Sequence, residues 1–348
     1  MEKENSNVEN KTVDGAGALV DSFGRTMDYL RISLTDRCNL RCRYCMPKEG
    51  IPAFKHEDIM TLEEVYRVAE VMTGMGIRRI RLTGGEPLVR KNMLSLVRRL
   101  GELPSKPELS LTTNGVLLED YLEELSEAGV WRINISLDTR NPETYRELTS
   151  VDALDKVERA LDKAVSMKLQ VKLNCVPIIG INDGELTGLA EIAAQSPVDV
   201  RFIELMPIGC AKGFKGINRE SILSELEKAF GTAEKEAPET DPSGSRAVGP
   251  SEYYRFKGFM GRIGFISPMS HAFCAKCNRL RLTADGRLKL CLYYPDGPEL
   301  LPMLRNGISD GELREKILQS LKNKPERHYF GDKEHTDSDA RNMIQIGG

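Results

Sequence analysis

From residue 29 onward, short runs rich in β-branched and alternating apolar residues are each followed by a longer stretch whose apolar positions recur at helical spacing. "YLRISLT" (29–35) comes first, and the first clear helix opens at Thr61, which has capping-box spacing to Glu64; Leu62, Val65, Val68, Ala69 and Met72 then keep the helical period. The pairing repeats as "RIRLT" before 92–103, "LSLTT" before 118–128, "WRINISL" before 154–167, "QVKLNCV" before 183–195 and "DVRFIEL" before 219–230. A helix between strands is the usual crossover of a parallel sheet. The expected fold class is therefore α/β, an incomplete (βα)6 TIM-like barrel.

After Phe230 the alternation stops. "EKEAPETDPSGSRAVGPSE" is a polar Pro/Gly/Ser stretch that reads as a long loop over 232–252. Beyond it come "YYRFKGF", "RIGFIS", and "RLRLTADGRLKLC", a hairpin turning at Asp285-Gly286, then a helix over 312–321 and a polar tail ending in Gly347-Gly348. The expected organisation is a disordered leader at 1–22, a partial barrel at 23–230 and a β-rich appendage at 231–348.

A chain of 348 residues, 40% of them hydrophobic, can bury a large core. Its net charge of -3 lacks the basic excess of a nucleic-acid or anionic-membrane binder, so neither partner is expected. No apolar run is long enough to span a bilayer, and "MEKENSNVENKTVDGAGALVDS" lacks a signal-peptide core; the expectation is a cytoplasmic protein. Disulfides are then disfavoured for its eight cysteines.

Six of these cysteines fall into two trios, Cys38/Cys42/Cys45 in "CNLRCRYC" and Cys274/Cys277/Cys291 in "CAKCNRLRLTADGRLKLC". A closed structural metal site takes four protein ligands, so three thiols suggest a metal centre with one position left for chemistry. Zinc stays open as an alternative, with His56 or His271 as a fourth ligand. Cys175 and Cys210 stand alone and read as small buried or neutral residues.

In parallel βα architectures ligands bind at the carboxyl ends of the strands. The first trio, "TGGEP" (83–87), "TTNG" (112–115), "SLD" (136–138) and "ELMP" (204–207) all fall there, converging on one mouth. Residues two apart on a strand share a face, which pairs Arg79 with Arg81, Lys172 with Asn174, and Arg279 with Arg281. Together with Arg31, cations turned into a barrel predict a polyanion such as a nucleotide triphosphate.

The Cys-x3-Cys-x2-Cys trio with Tyr44 before its last cysteine, followed by "GGEP", resembles the radical S-adenosylmethionine (SAM) superfamily. "LRISLTDRCNLRCRYCMP", the second trio with "NRLRLT" and the terminal Gly-Gly are similar to the family within it that cyclises GTP in molybdenum-cofactor biosynthesis, over residues 23–348. The resemblance implies two 4Fe-4S clusters, one on Cys38, Cys42 and Cys45 that also binds SAM, the other on Cys274, Cys277 and Cys291 facing GTP. It implies SAM contacts from Tyr44, Gly85, Ser136 and Met206, with Gly84 and Glu86 shaping the turn. It implies GTP contacts from Arg31, Arg81, Thr112, Lys172, Arg279, Leu280 and Arg281, and catalytic roles for Arg31, Arg279, Arg281, Gly347 and Gly348, the Gly-Gly tail reaching into the site.

The implied reaction is that of a lyase. A 5′-deoxyadenosyl radical takes the ribose 3′ hydrogen of GTP, and the ribose carbon closes onto guanine carbon 8 to give 3′,8-cyclo-7,8-dihydro-GTP. The implied partners are a flavodoxin- or ferredoxin-like electron donor and the downstream cyclic pyranopterin monophosphate synthase. Members of the family tend to dimerise, so a homodimer is expected as well.

Overall fold

The computed structural model describes residues 18–238, 249–295, 297–330, 332 and 338–347. Six strands follow the sequence pattern: β1 (Tyr29–Ser33), β2 (Arg79–Thr83), β3 (Glu108–Thr113), β4 (Arg132–Ser136), β5 (Gln170–Cys175) and β6 (Asp199–Ile203). The crossovers between and after them carry α1 (Leu62–Thr73), α2 (Met93–Gly101), α3 (Leu118–Glu127), α4 (Pro142–Thr149), α5 (Leu154–Ser166), α6 (Leu186–Gln195) and α7 (Arg219–Phe230). The capping box at Thr61 and Glu64 is formed in both directions. Helix α4 lies outside the expected elements, although its start is written in the chain: Asn141 accepts from the backbone of Glu143 and Thr144, and Pro142 fills the first turn.

β1 to β6 pair in parallel and in sequence order, giving the parallel sheet of a partial TIM-like barrel. The C-terminal strands β7 (Ala233–Lys235), β8 (Glu252–Phe256), β9 (Ile263–Ile266), β10 (Arg279–Leu282) and β11 (Leu288–Lys289) do not stand apart from it. β9 pairs parallel to β6 and β10 parallel to β1, so one eleven-stranded sheet runs β11-β10-β1-β2-β3-β4-β5-β6-β9-β8-β7. The segment expected as an appendage thus lengthens the barrel wall at both ends, because Leu280 and Leu282 continue the buried layer begun by Leu30 and Ile32.

Parallel strands covered on both faces usually read as continuous apolar runs. Here they alternate. Leu30, Ile32, Ile80, Leu82, Leu109, Leu111, Val171 and Leu173 are at most 2% exposed and pack beneath the helices. The intervening residues, among them Arg31, Arg81, Thr112 and Lys172, line the barrel interior. A polar inner face cannot fill itself as a hydrophobic core would; it is built to be filled by a ligand.

Of the leader expected at 1–22, residues 1–17 lie outside the described residues, but 18–22 are folded. Leu19 is buried, Val20 bridges Thr26, and Asp21 pairs with Arg25 at 2.6 Å. The loop expected at 232–252 is described only at its two ends, which include β7 and the first residue of β8; residues 239–248 lie outside. The last helices are α8 (Leu300–Arg305), α9 (Asp310–Leu321) and α10 (Met343–Ile346). Among the described residues no helix is long and apolar enough to cross a membrane.

Candidate active site

A cavity of about 420 Å3 opens at the carboxyl ends of the strands, and all six clustered cysteines line it. That volume lies in the range of small-molecule sites. β1 delivers the first trio through the loop that follows it, while the second reaches the same chamber from the turn before β10 and the loop after β11.

Burial, with mutual repulsion, pushes the Cys42 thiol well above its ordinary value, and it raises Cys38 and Cys45 too. Such thiols ionise only if a cation meets them. Leu40 N donates to Cys38 Sγ at 3.4 Å and Asn114 Nδ2 does so at 3.6 Å, contacts suited to a sulfur that carries charge. Among the described residues no three Cys, His, Asp or Glu side chains converge on a single ion. In a polynuclear cluster each iron takes its own thiolate, so three thiols need not converge on one ion. His271 is occupied by Ser270 and Arg219 on the surface, and His56 is exposed, so neither completes a trio. The residues present fit two iron–sulfur clusters.

Tyr44 donates its hydroxyl to Asp138 Oδ2 at 2.7 Å beside the first trio. Burial pushes the Asp138 carboxyl up to about 6. Gly84, Gly85, Ser136 and Met206 line the cavity, but Glu86 does not; it is fully buried behind the glycines. There its carboxylate accepts from Thr113 Oγ1 at 2.8 Å, Asn114 N at 2.7 Å and Leu88 N at 3.1 Å, tying the loop after β2 to the loop after β3. A Cβ on Gly85 would come within 2.3 Å of the Arg37 carbonyl oxygen, so the residue must be glycine for this loop to lie against the cysteine loop.

The cations gather on the other side. Arg281, Arg31 and Arg81 are consecutive register partners across β10, β1 and β2, and Arg279, Tyr29 and Arg79 form the next row. Burial first, then the neighbouring guanidinium of Arg281, holds Arg31 well below the usual arginine range; burial, then Arg279, brings Arg281 down to about 10. Lys172 Nζ donates to the Tyr253 hydroxyl at 2.8 Å and lies 3.4 Å from Asp199. Among the described residues, the buried Nε of Arg279 and hydroxyl of Thr112 have no hydrogen-bond partner. Thr113 is instead committed to Glu86.

Leu280 differs from these residues in where its side chain lies. It alternates between Arg279 and Arg281, so its side chain is buried in the helix-side core and off the cavity. The tail does arrive: the Gly347 carbonyl accepts from Arg281 Nη1 at 2.8 Å, and Ile344 lines the cavity, while Gly348 lies outside the described residues.

Residues 32–193 match the Radical SAM superfamily and residues 198–330 match Molybdenum Cofactor Synthesis C. The chain is 46% identical over 328 residues to a GTP 3′,8-cyclase of Clostridium perfringens (strain 13 / Type A), covering 94% of this chain and 99% of that one. It is 44% identical over 337 residues to the GTP 3′,8-cyclase of Peptoclostridium acidaminophilum, covering 97% and 100%.

This chain belongs to the GTP 3′,8-cyclase family.

Among solved structures, Streptococcus suis SuiB bound to S-adenosylmethionine has a TM-score of 0.56 at 16% identity, covering 83% of this chain and 68% of SuiB, a likeness of fold alone. As a member of the GTP 3′,8-cyclase family the chain is a radical SAM protein, and the cavity holds residues beyond those expected from its motifs. Arg201 is 6% exposed and donates to Asn174 Oδ1 at 2.9 Å and to Asn134 Oδ1. Period two from Asp199 could have found it. Tyr253, from β8, and His328 also line the chamber, at positions that no sequence motif singled out.

Proposed function

We propose that this chain is a radical SAM lyase that converts GTP to 3′,8-cyclo-7,8-dihydro-GTP in molybdenum-cofactor biosynthesis. The observation that carries the reading is that both cysteine trios and the row Arg281-Arg31-Arg81 face one chamber. When bound, a reduced 4Fe-4S cluster with SAM supplies the 5′-deoxyadenosyl radical that abstracts the ribose 3′ hydrogen and so starts closure onto guanine carbon 8.

In this reading Cys38, Cys42 and Cys45 hold that cluster, and Cys274, Cys277 and Cys291 hold a second that faces the guanine. Tyr44, Gly84, Gly85, Ser136 and Met206 receive SAM, and Glu86 fixes the glycine turn from behind. Arg31, Arg81, Lys172, Arg279 and Arg281 take the charge of the triphosphate, with Thr112 as a neutral donor. Gly347 bonds Arg281 and orients it toward the substrate; Gly348 is assigned to the same tail by family position. The residues' task is to align the two ligands and exclude water. Family membership alone supports the flavodoxin- or ferredoxin-like donor, the downstream cyclic pyranopterin monophosphate synthase, a homodimer and a cytoplasmic setting.

The test is anaerobic reconstitution with iron and sulfide, reduction, and incubation with SAM and either GTP or ATP. The expected result is two clusters per chain and a cyclised product from GTP only. About two zincs with no iron, or turnover indifferent to the base, would refute the proposal.

A further inference from the structure

The two trios sit in opposite electrostatic settings. Around the first, the charged neighbours of Cys42 and Cys45 include the Asp138 carboxylate, and Glu86 acts on Cys38. Around the second they are cationic. Lys324, Arg279 and Arg25 are the charged groups that face Cys277.

Lys324 is an unusual residue to find there. It follows α9, is 3% exposed, and both its hydrogen-bond partners are carbonyl oxygens rather than carboxylates: Arg279 O at 3.0 Å and Leu290 O. Those carbonyls lie two residues after Cys277 and one before Cys291. Arg25 holds the remaining ligand loop, donating from Nη1 to Cys274 O at 2.8 Å and to Glu326 O at 2.8 Å, and from Nη2 to Pro325 O at 2.7 Å. Its charge is met by Asp21 at 2.6 Å. The segment 324–326 and Arg25 therefore clasp the backbone beside all three cysteines.

A neutral donor could tie two carbonyls together. An ammonium buried with only carbonyl oxygens as hydrogen-bond partners is costly unless anions compensate it; Cys277 and Cys291 act on it first, ahead of the Asp21 carboxylate, which is paired with Arg25. Resting on the two-cluster reading above, we propose that Lys324 is a positioning residue for the second cluster, holding its ligand loops and raising its reduction potential above that of the first. A fixed positive charge favours the state with one more electron, and charge near a cluster is one of the means by which proteins set its potential. The step it biases is the uptake of one electron, from the low-potential donor in the cell or from dithionite in the test, taking the cluster core from 2+ to 1+ with no bond made or broken.

The experiment is a mediator titration with dithionite, followed by electron paramagnetic resonance, on the anaerobically reconstituted full chain. The Cys42→Ser protein assigns the signals. In Lys324→Gln the one-electron reduction equilibrium of the second centre should fall at least tenfold, 59 mV, with the first unmoved; Lys324→Arg should stay within about threefold of the unaltered protein. An unmoved second centre in Lys324→Gln, equal movement of both centres, or Lys324→Arg behaving like Lys324→Gln overturns the proposal. Should Lys324→Gln fail to retain the second centre, Lys324→Arg decides. Full iron content at the original potential supports the proposal, and loss of that centre there too overturns it. Iron for one cluster only in the unaltered protein would instead sink the two-cluster reading and the inference with it.

Discussion

Arg31 and Arg281 are register partners on neighbouring parallel strands, and Arg81 is the partner of Arg31 on its other side. Three adjacent guanidiniums inside a barrel repel one another, and an anion bound across them would relieve that repulsion. Arg81→Ala should weaken GTP binding about 10- to 100-fold, since a charge-assisted hydrogen bond contributes about 1.5–3 kcal/mol. SAM affinity should change less than about twofold. Calorimetry with each ligand checks both, and equal losses would remove the phosphate assignment.

The same repulsion makes the ligand-free protein less stable than its complex. GTP at about 100 times its Kd should add about 2.7 kcal/mol to the unfolding free energy, and guanosine, lacking phosphates, should add far less at the same concentration. Thermal melts at low and high salt separate the cases. A GTP effect that survives replacement by guanosine would place the binding energy in the base.

The two trios should fail differently. Cys42→Ser should abolish formation of 5′-deoxyadenosine from SAM, whereas Cys277→Ser should retain slow cleavage uncoupled from product while losing GTP turnover. Chromatography of 5′-deoxyadenosine and cyclised product in one incubation is the measurement. Identical behaviour of the two variants would show that the trios do not have separate tasks.

Glu86 gives a pH signature. Burial raises its carboxyl from 4.5 to about 7, against the pull of its three hydrogen-bond donors. The folded state therefore holds this proton more tightly than the unfolded chain does. The stability it brings is complete below about pH 4.5 and is lost as pH rises through about 7, a swing of about 3 kcal/mol. Glu86→Gln cannot titrate, so the stability gap between unaltered protein and variant should shrink by up to that amount from pH 5 to pH 8 in urea unfolding. A gap that widens would mean that the three donors favour the carboxylate over the acid.

Much of this was readable because two periodicities coincide. Leu30 and Ile32 mark the helix side of β1 and Arg31 the inside, and the same alternation through Arg81 and Lys172 announces both the sheet and its polar interior. Cysteine spacing located the two trios, but only the fold brings them into one chamber, since 229 positions separate Cys45 from Cys274 (274 − 45). What stayed hidden was carried by contacts rather than by period. Nothing near Lys324 signals that its ammonium reaches the carbonyls of Arg279 and Leu290, and nothing near Arg25 signals that it holds the carbonyl of Cys274. Leu280 is named with Arg279 and Arg281 by the motif, but a strand turns only alternate side chains to the cavity, so Leu280 can contribute there only through its backbone.

The tail supplies the last test. Gly347 adopts φ +86, a left-handed conformation that favours glycine, and a Cβ there would lie 2.7 Å from Ser33 Cβ and 3.1 Å from Thr83 Oγ1. The Ser33 and Thr83 side chains occupy that space, so Gly347→Ala should lift the tail and free Arg281 of its bond to the Gly347 carbonyl. Without that bond the Arg281 guanidinium loses its orientation but not its charge. GTP affinity should therefore drop only a few-fold, while turnover falls at least tenfold and uncoupled SAM cleavage rises. Stability should barely change, because α10 is a single short helix at the end of the chain. Measuring affinity, coupling and melting temperature on the one variant separates this outcome from simple misfolding. A variant that turns over normally would show that the tail sits in the chamber without serving the reaction.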